Sequence, residues 1–293
     1  MNEKHNHLLL QEIKDFCIRQ YLKDYAETEK VMKRKKPEVR ERLAQKQAIQ
    51  TTFFNAIQTF PSVDAAKIWG IIYNAHIHRK SGISDDDTID KVVSADQSWK
   101  KTSGHAFEEL IQEHATAALT GTGIRIVLQR ELSRLLKKGE IHNAKQDLDW
   151  LVERLKQATF DLFAIVTTPD GKNLVFGCIQ SKTSIRDRVT RDREPSLAAM
   201  KHFFWSVCIA LDGDFLQLPK FQAMVNGGSQ EFPQNGWHGL YVLSAGHAGD
   251  RIYSIDKSFS LFCEHARQAA EYWLTQRQWF NENWKATLDH EQP

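Results

Sequence analysis

The stretch from Phe160 to Ser196, FDLFAIVTTPDGKNLVFGCIQSKTSIRDRVTRDREPS, restricts what this chain can fold into more than any other. Two runs rich in β-branched and aromatic residues flank Pro169-Asp170-Gly171-Lys172, whose composition belongs to a tight turn, so an antiparallel hairpin is expected. With those four residues as the loop, Thr168 faces Asn173, and counting back puts Asp161 opposite Gln180. Strand alternation then groups Cys178, Gln180 and Lys182 on the face that carries Asp161, with Ile179 and Ser181 on the other. A carboxylate beside a lysine and an amide at a strand end suits a divalent cation and its water, because a hard cation takes oxygen ligands and a lysine steadies a developing anion. An edge-strand ion pair has the same spacing, so these positions alone leave both readings open.

Immediately beyond the lysine come Arg186-Asp187-Arg188 and Arg191-Asp192-Arg193, four guanidinium groups and two carboxylates within eight residues. Arginine grips guanine O6 and N7 with two hydrogen bonds, and aspartate accepts from cytosine N4 amines. Such triplets suit the reading of adjacent C·G and G·C pairs in a major groove.

Asp161, the Gln180-Ser181-Lys182 run and the Arg186-Asp187-Arg188 triplet resemble the PD-(D/E)XK nucleases, specifically the type II restriction endonucleases that read CCGG or CCNGG cores. The resemblance covers mainly residues 104–205. It implies an α/β (α+β) chain, with a central mixed β-sheet flanked by helices and an N-terminal helical subdomain. In that group the acid two residues before the lysine is often absent and a glutamate from the following helix replaces it. Gln180 stands at the vacated position here, and Glu194, just before Pro195 at a helix entrance, is the candidate replacement. The group also carries a glutamate on an early helix in Gly-x-x-Phe-Glu-like contexts, and Glu108 in Gly104-His105-Ala106-Phe107-Glu108 matches it. The same position also suits an acid favoured by the dipole of a helix start.

The implied chemistry is Mg²⁺-dependent hydrolysis of double-stranded DNA, leaving 5′-phosphates and 5′ overhangs. Asp161 and Glu194 would hold one or two metal ions, Lys182 would orient water and stabilise the transition state, Gln180 would orient ligands without carrying charge, and Glu108 would act behind the ligands or at a second metal. Arg186, Asp187 and Arg188, with Arg191 and Arg193, would contact DNA, and a palindromic target would call for a homodimer or a higher oligomer. A cognate methyltransferase of the same system is implied without physical association. A structure-directed repair or recombination nuclease, or a non-catalytic DNA-binding module on the same fold, remain the alternatives.

The remainder of the chain bounds these expectations. A formal net charge of +2 over 293 residues gives no global sign of nucleic-acid binding, so any basic footprint must be local. Cys17, Cys178, Cys208 and Cys263 lie far apart without metal or disulfide spacing. No secretory or membrane-spanning stretch is read, so a cytoplasmic protein is expected. Residues 1–100 carry helical spacing, as in Phe53, Phe54, Ile57 and Phe60 before Pro61, and are expected to form a subdomain for dimerisation or DNA support. Residues 101–293 are expected to be the catalytic and recognition domain. Ser84 or Asp85 is read as a helix cap. A strand is predicted around Ile124–Leu128, a basic helix face at Arg130, Arg134, Lys137 and Lys138, a core helix over Leu197–Leu211, and two strands over Trp237–Ser244 and Arg251–Ile255. On the helix after Ser103, Phe107, Leu110 and Ile111 define the inward stripe, bordered by Glu108, whereas Glu109 falls on the polar side.

Overall fold

A computed structural model describes residues 3–81, 86–183, 189–243 and 249–287. It divides into two compact units, Met1–Phe107 and Glu108–Pro293. Arg186, Asp187 and Arg188, and the expected cap at Ser84 or Asp85, lie outside the described residues.

The first unit is helical: α1 (Glu3–Val31), α2 (Pro37–Thr59), α3 (Ala65–Ser81) and the start of α4 (Asp86–Ala118). Pro37 opens α2, where its missing N–H is not needed. The chain restarts after Pro61 because the Asp64 carboxylate accepts the Ala66 N–H (2.7 Å), satisfying a first-turn donor of α3. Phe53, Trp69 and Trp99 interlock edge to face in the unit's core. His76, fully buried, accepts from the Tyr21 hydroxyl through Nδ1 (2.9 Å) and donates to the Ala95 carbonyl through Nε2 (3.0 Å).

The second unit is built on a six-stranded mixed sheet in the order β1 (Ile124–Leu128), β2 (Leu162–Thr167), β3 (Asn173–Lys182), β4 (Trp205–Ala210), β5 (Gly239–Val242), β6 (Ile252–Ser254). The first three strands run antiparallel and the last four, β3 included, parallel. The helices that cover it are α5 (Gln129–Lys137), α6 (Lys145–Gln157), α7 (Val189–Lys201), α8 (Pro219–Asn226) and α9 (Ser260–Gln276), with the end of α4. This is the expected mixed sheet flanked by helices. Two apolar clusters form: Phe160, Phe163, Cys178 and Phe204 with Leu132, Leu135, Trp150 and Leu151 in one, and Cys208, Ala210, Leu240 and Val242 with Leu216, Val225 and Trp237 in the other. Gln180 pairs in register with Cys208, and Lys182 with Ala210, so both share a face with the second cluster.

The hairpin differs from the expected register at its turn. Thr167, not Thr168, pairs with Asn173, making the loop one residue longer. A β-bulge at Phe176, between the Ile165↔Val175 and Ala164↔Gly177 pairs, then returns the residue that the turn removed. Leu162 therefore faces Ile179, and by continuation Asp161 stands across from Gln180. At the bulge, Gly177 leaves no room for a side chain: a Cβ would meet Ala164 Cβ at 2.9 Å and Trp205 Cε3 at 3.0 Å. Ahead of it, Asn143 pairs its side-chain amide with both backbone groups of Val175 (2.8 Å each), doing for β3 what a neighbouring strand would.

The expected helix over Leu197–Leu211 is corrected. Helix α7 spans Val189–Lys201 and contains Pro195 in its interior rather than in its first turn. Phe203 takes a left-handed backbone (φ 60°), and Trp205–Ala210 form β4, buried on both faces. The continuous apolar run WSVCIA is that of a central parallel strand, which periodicity does not distinguish from a buried helix.

Candidate active site

At the C-terminal end of β3 the Lys182 ammonium lies 3.5 Å from Asp161 Oδ2 and 3.8 Å from Asp192 Oδ1. Asp161 comes from the residue just before β2, and the hairpin register brings it to the lysine. Its Oδ2 also accepts the Ser181 backbone N–H at 2.7 Å, which fixes the carboxylate's direction. Asp192 comes from α7. All three side chains keep about a fifth of their surface exposed, 21% for Lys182, 24% for Asp161 and 19% for Asp192, so they border solvent rather than vanish into the core.

Burial raises the Asp161 carboxyl above the ordinary aspartate value, and the nearby Glu108 charge adds to this; Lys182 and the Ser181 N–H pull against it without cancelling it. Burial pulls the Lys182 ammonium down, but Asp161 and Asp192 together leave it net raised and firmly charged. Lys182 is thus a fixed cation between two carboxylates, one of which is held ionised against its surroundings.

Glu194 is exposed, on a different side of α7 from Asp192, since two residues advance a helix by about 200°. Asp192, Arg193, Ser196, Ala199 and Met200 form the helix's inward stripe, and the carboxylate that reaches Lys182 is Asp192. Spacing held the signal for this: Ser196, Ala199 and Met200 mark the buried face, and Asp192 lies one turn before Ser196 on it. Starting the helix at Pro195 hid the pattern.

Gln180 is fully buried. Its Nε2 donates to the Asp192 carbonyl (2.9 Å) and the Thr159 carbonyl (3.4 Å), and its Oε1 accepts from Trp237 Nε1 (2.8 Å). Its amide is engaged entirely with protein groups. Losing it would strand the buried Trp237 indole N–H at a cost of about 1–3 kcal/mol.

Arg193, expected at DNA, is turned inward instead. It is 8% exposed, donates to the Met224 carbonyl (3.2 Å) and to Gln234, and lies over the Phe232 ring. Arg191 is exposed. Glu108 is half-buried and close enough to act on Asp161, whereas Glu109 is buried and ion-paired with Arg130 (2.8 Å) rather than on a solvated polar side. The two glutamates are thereby distinguished: the charge of Glu108 is felt at Asp161, and Glu109 is ion-paired with Arg130.

The donors offered are the carboxylates of Asp161 and Asp192. Among the described residues no group of three or more His, Cys, Asp or Glu converges as a metal cage. Two carboxylates nevertheless fit Mg²⁺, which is ordinarily held by one or two with substrate phosphates and waters completing the octahedron. Cys208 lies on the same face, fully buried, and burial pushes its thiol well up.

A family profile described as BsaWI restriction endonuclease type 2 matches residues 140–279, a span that includes Asp161, Lys182 and Asp192. The chain is similar to a restriction endonuclease BsaWI crystallised as a pre-specific complex with DNA, at 52% identity and a TM-score of 0.68, over 94% of this chain and 98% of the other. A second structure, a specific AgeI–DNA complex, shares the fold at 19% identity and a TM-score of 0.57, over 92% of each chain. The type II restriction enzyme AgeI of Thalassovita gelatinovora is 27% identical over 175 residues, 58% of this chain and 57% of that protein, so the aligned stretch spans little more than half of this curated relative.

Proposed function

This chain belongs to the BsaWI-type family of type II restriction endonucleases, and we propose that it hydrolyses a phosphodiester in duplex DNA at a palindromic site with a CCGG or CCNGG core. The observation that carries the proposal is the Lys182 ammonium held between Asp161 and Asp192 at a strand end. Asp161 and Asp192 would hold Mg²⁺, with Asp192 in the role the sequence pattern suggests for Glu194. The bound ion would supply Lewis-acid charge and lower the pKa of its water.

The chain's own residues do the rest. Lys182 orients the attacking water and meets the charge that develops on the phosphate oxygens. The Ser181 N–H keeps the Asp161 carboxylate aimed at the lysine. Glu108 adds negative potential behind Asp161, which favours a bound cation. Base reading is assigned to Arg186, Asp187 and Arg188, four to six residues after Lys182, with each bidentate arginine contact adding about 1–3 kcal/mol of discrimination. A homodimer would match the twofold symmetry of the site.

The test is digestion of a plasmid of known sequence with Mg²⁺ and with EDTA, followed by sequencing of the ends and light scattering of the protein with and without a cognate duplex. Defined fragments with 5′-phosphorylated overhangs at one palindrome are expected, from a dimer. Preference for branched over linear DNA, or metal-independent fragments, would contradict the proposal. Lys182→Ala should reduce cleavage by about 10²–10³-fold or more, while leaving the gel-shift affinity for the site intact.

A further inference from the structure

Gln180 and Arg193 are both buried, and both hold the same turn of α7. We propose that they are positioning residues for Asp192: two clamps that set its carboxylate against Lys182 and thereby set the site's affinity for a divalent ion, a role that rests on the metal-site assignment above. Gln180 ties the Asp192 carbonyl to the segment ahead of β2 through Thr159 and to the loop ahead of β5 through Trp237. Arg193 ties the next residue of the helix to the end of α8 through Met224 and to the following loop through Gln234. That loop closes onto the arginine because Gly236 has no side chain: a Cβ there would stand 2.5 Å from the Met224 carbonyl oxygen and 3.2 Å from Arg193 Cγ.

This turn needs outside anchors for a covalent reason. Pro195 lies within α7 and has no N–H, so the Arg191 carbonyl lacks its helical donor. The stretch carrying Asp192 is therefore held by one fewer internal bond where the carboxylate must be placed to within a fraction of an ångström. Below it, Ser196 Oγ and Ser206 Oγ meet at 2.7 Å and secure the next turn to β4. The clamps complete the attachment above that point.

The experiment is Mn²⁺ binding to the full-length protein, followed by the loss of free-Mn²⁺ EPR signal, alongside the Mg²⁺ concentration that half-saturates single-turnover cleavage. Wild type is compared with Gln180→Met, Trp237→Phe and Arg193→Lys, each also combined with Asp192→Asn, with DNA affinity measured in parallel. Gln180→Met and Arg193→Lys should weaken metal binding by about 10–100-fold, the range for lost groups that orient a ligand. Trp237→Phe, which removes only the indole donor, should act in the same direction to a smaller extent. DNA affinity should not change, and none of the substitutions should weaken metal binding further once Asp192 is Asn. Unchanged metal affinity in cooperatively melting variants, an equal loss in the Asp192→Asn background, or lost DNA affinity with metal binding intact would overturn the positioning role. Trp237→Phe and Arg193→Lys carry the test if Gln180→Met does not fold. Wild-type protein that neither takes up Mn²⁺ nor cuts DNA would instead remove the metal site, and the clamps' purpose with it.

Discussion

Asp161 carries its charge against the preference of its surroundings. Its carboxyl is raised in the folded protein by burial, so the contribution it makes to stability is fully present below the ordinary aspartate pKa and is lost as pH rises through the raised value. At neutral pH the ionised group is a local destabilisation that a bound cation would relieve. Asp161→Asn should therefore abolish cleavage and raise the melting temperature of the metal-free protein at pH 7, with the difference shrinking toward about pH 4. Equal melting of the two proteins at both pH values would refute this. Asp192 and Glu194 allow a sharper comparison, since they are alike in charge and two positions apart. Asp192→Asn should remove cleavage, by about 10²-fold or more if its loss resembles that of other charges acting on the transition state. Glu194→Gln should leave the rate within about a factor of 3, in line with an exposed surface change within ±0.5 kcal/mol.

Among the elements, the β2–β3 hairpin shows two deviations that offset each other. The turn is longer than its Pro-Asp-Gly-Lys chemistry suggests, and the bulge at Phe176 restores the frame, so Asp161 arrives opposite Gln180 by a route that counting from the turn does not describe. Gly177 is the residue that lets the bulged strand lie against Trp205 and Ala164. Gly177→Ala should lower stability by about 1–3 kcal/mol through overpacking, read as a shift in denaturant midpoint at constant slope. An unchanged midpoint would mean that the sheet yields there at no cost. Helix α7 and β4 teach a related point. An apolar stretch that follows a proline looks like the body of a helix, yet Phe203 turns the chain left-handed and the same residues become the strand beside β3.

At the scale of the whole molecule, each unit buries an uncharged imidazole. Burial holds His76 near 4 and His238 near 3, against an ordinary value of 6.5. His238 Nδ1 accepts the Ser206 N–H and its Nε2 donates to the Asn281 carbonyl, an arrangement that a second ring proton would break. Both groups bind protons more readily when unfolded, so their stabilisation is present above pH 6.5 and is lost as pH falls toward the depressed values. Melting temperature should decline from pH 7 to pH 5, and the decline should be flatter in His76→Gln/His238→Gln, although that variant is less stable throughout. A steeper decline in the variant would contradict the assignment. Among the described residues no helix is long and apolar enough to cross a membrane. The sequence by itself determined what depends on local rules: the hairpin, the helical first hundred residues, the outer strands, and the alternation that sets Asp161, Gln180 and Lys182 on one face. Only the tertiary structure decided which acid of α7 meets the lysine, that Gln180 and Arg193 spend their polar groups on carbonyls, and that WSVCIA is a strand. These outcomes depend on where a helix starts and on which buried polar groups must find partners, and both are set by contacts between segments far apart in the chain.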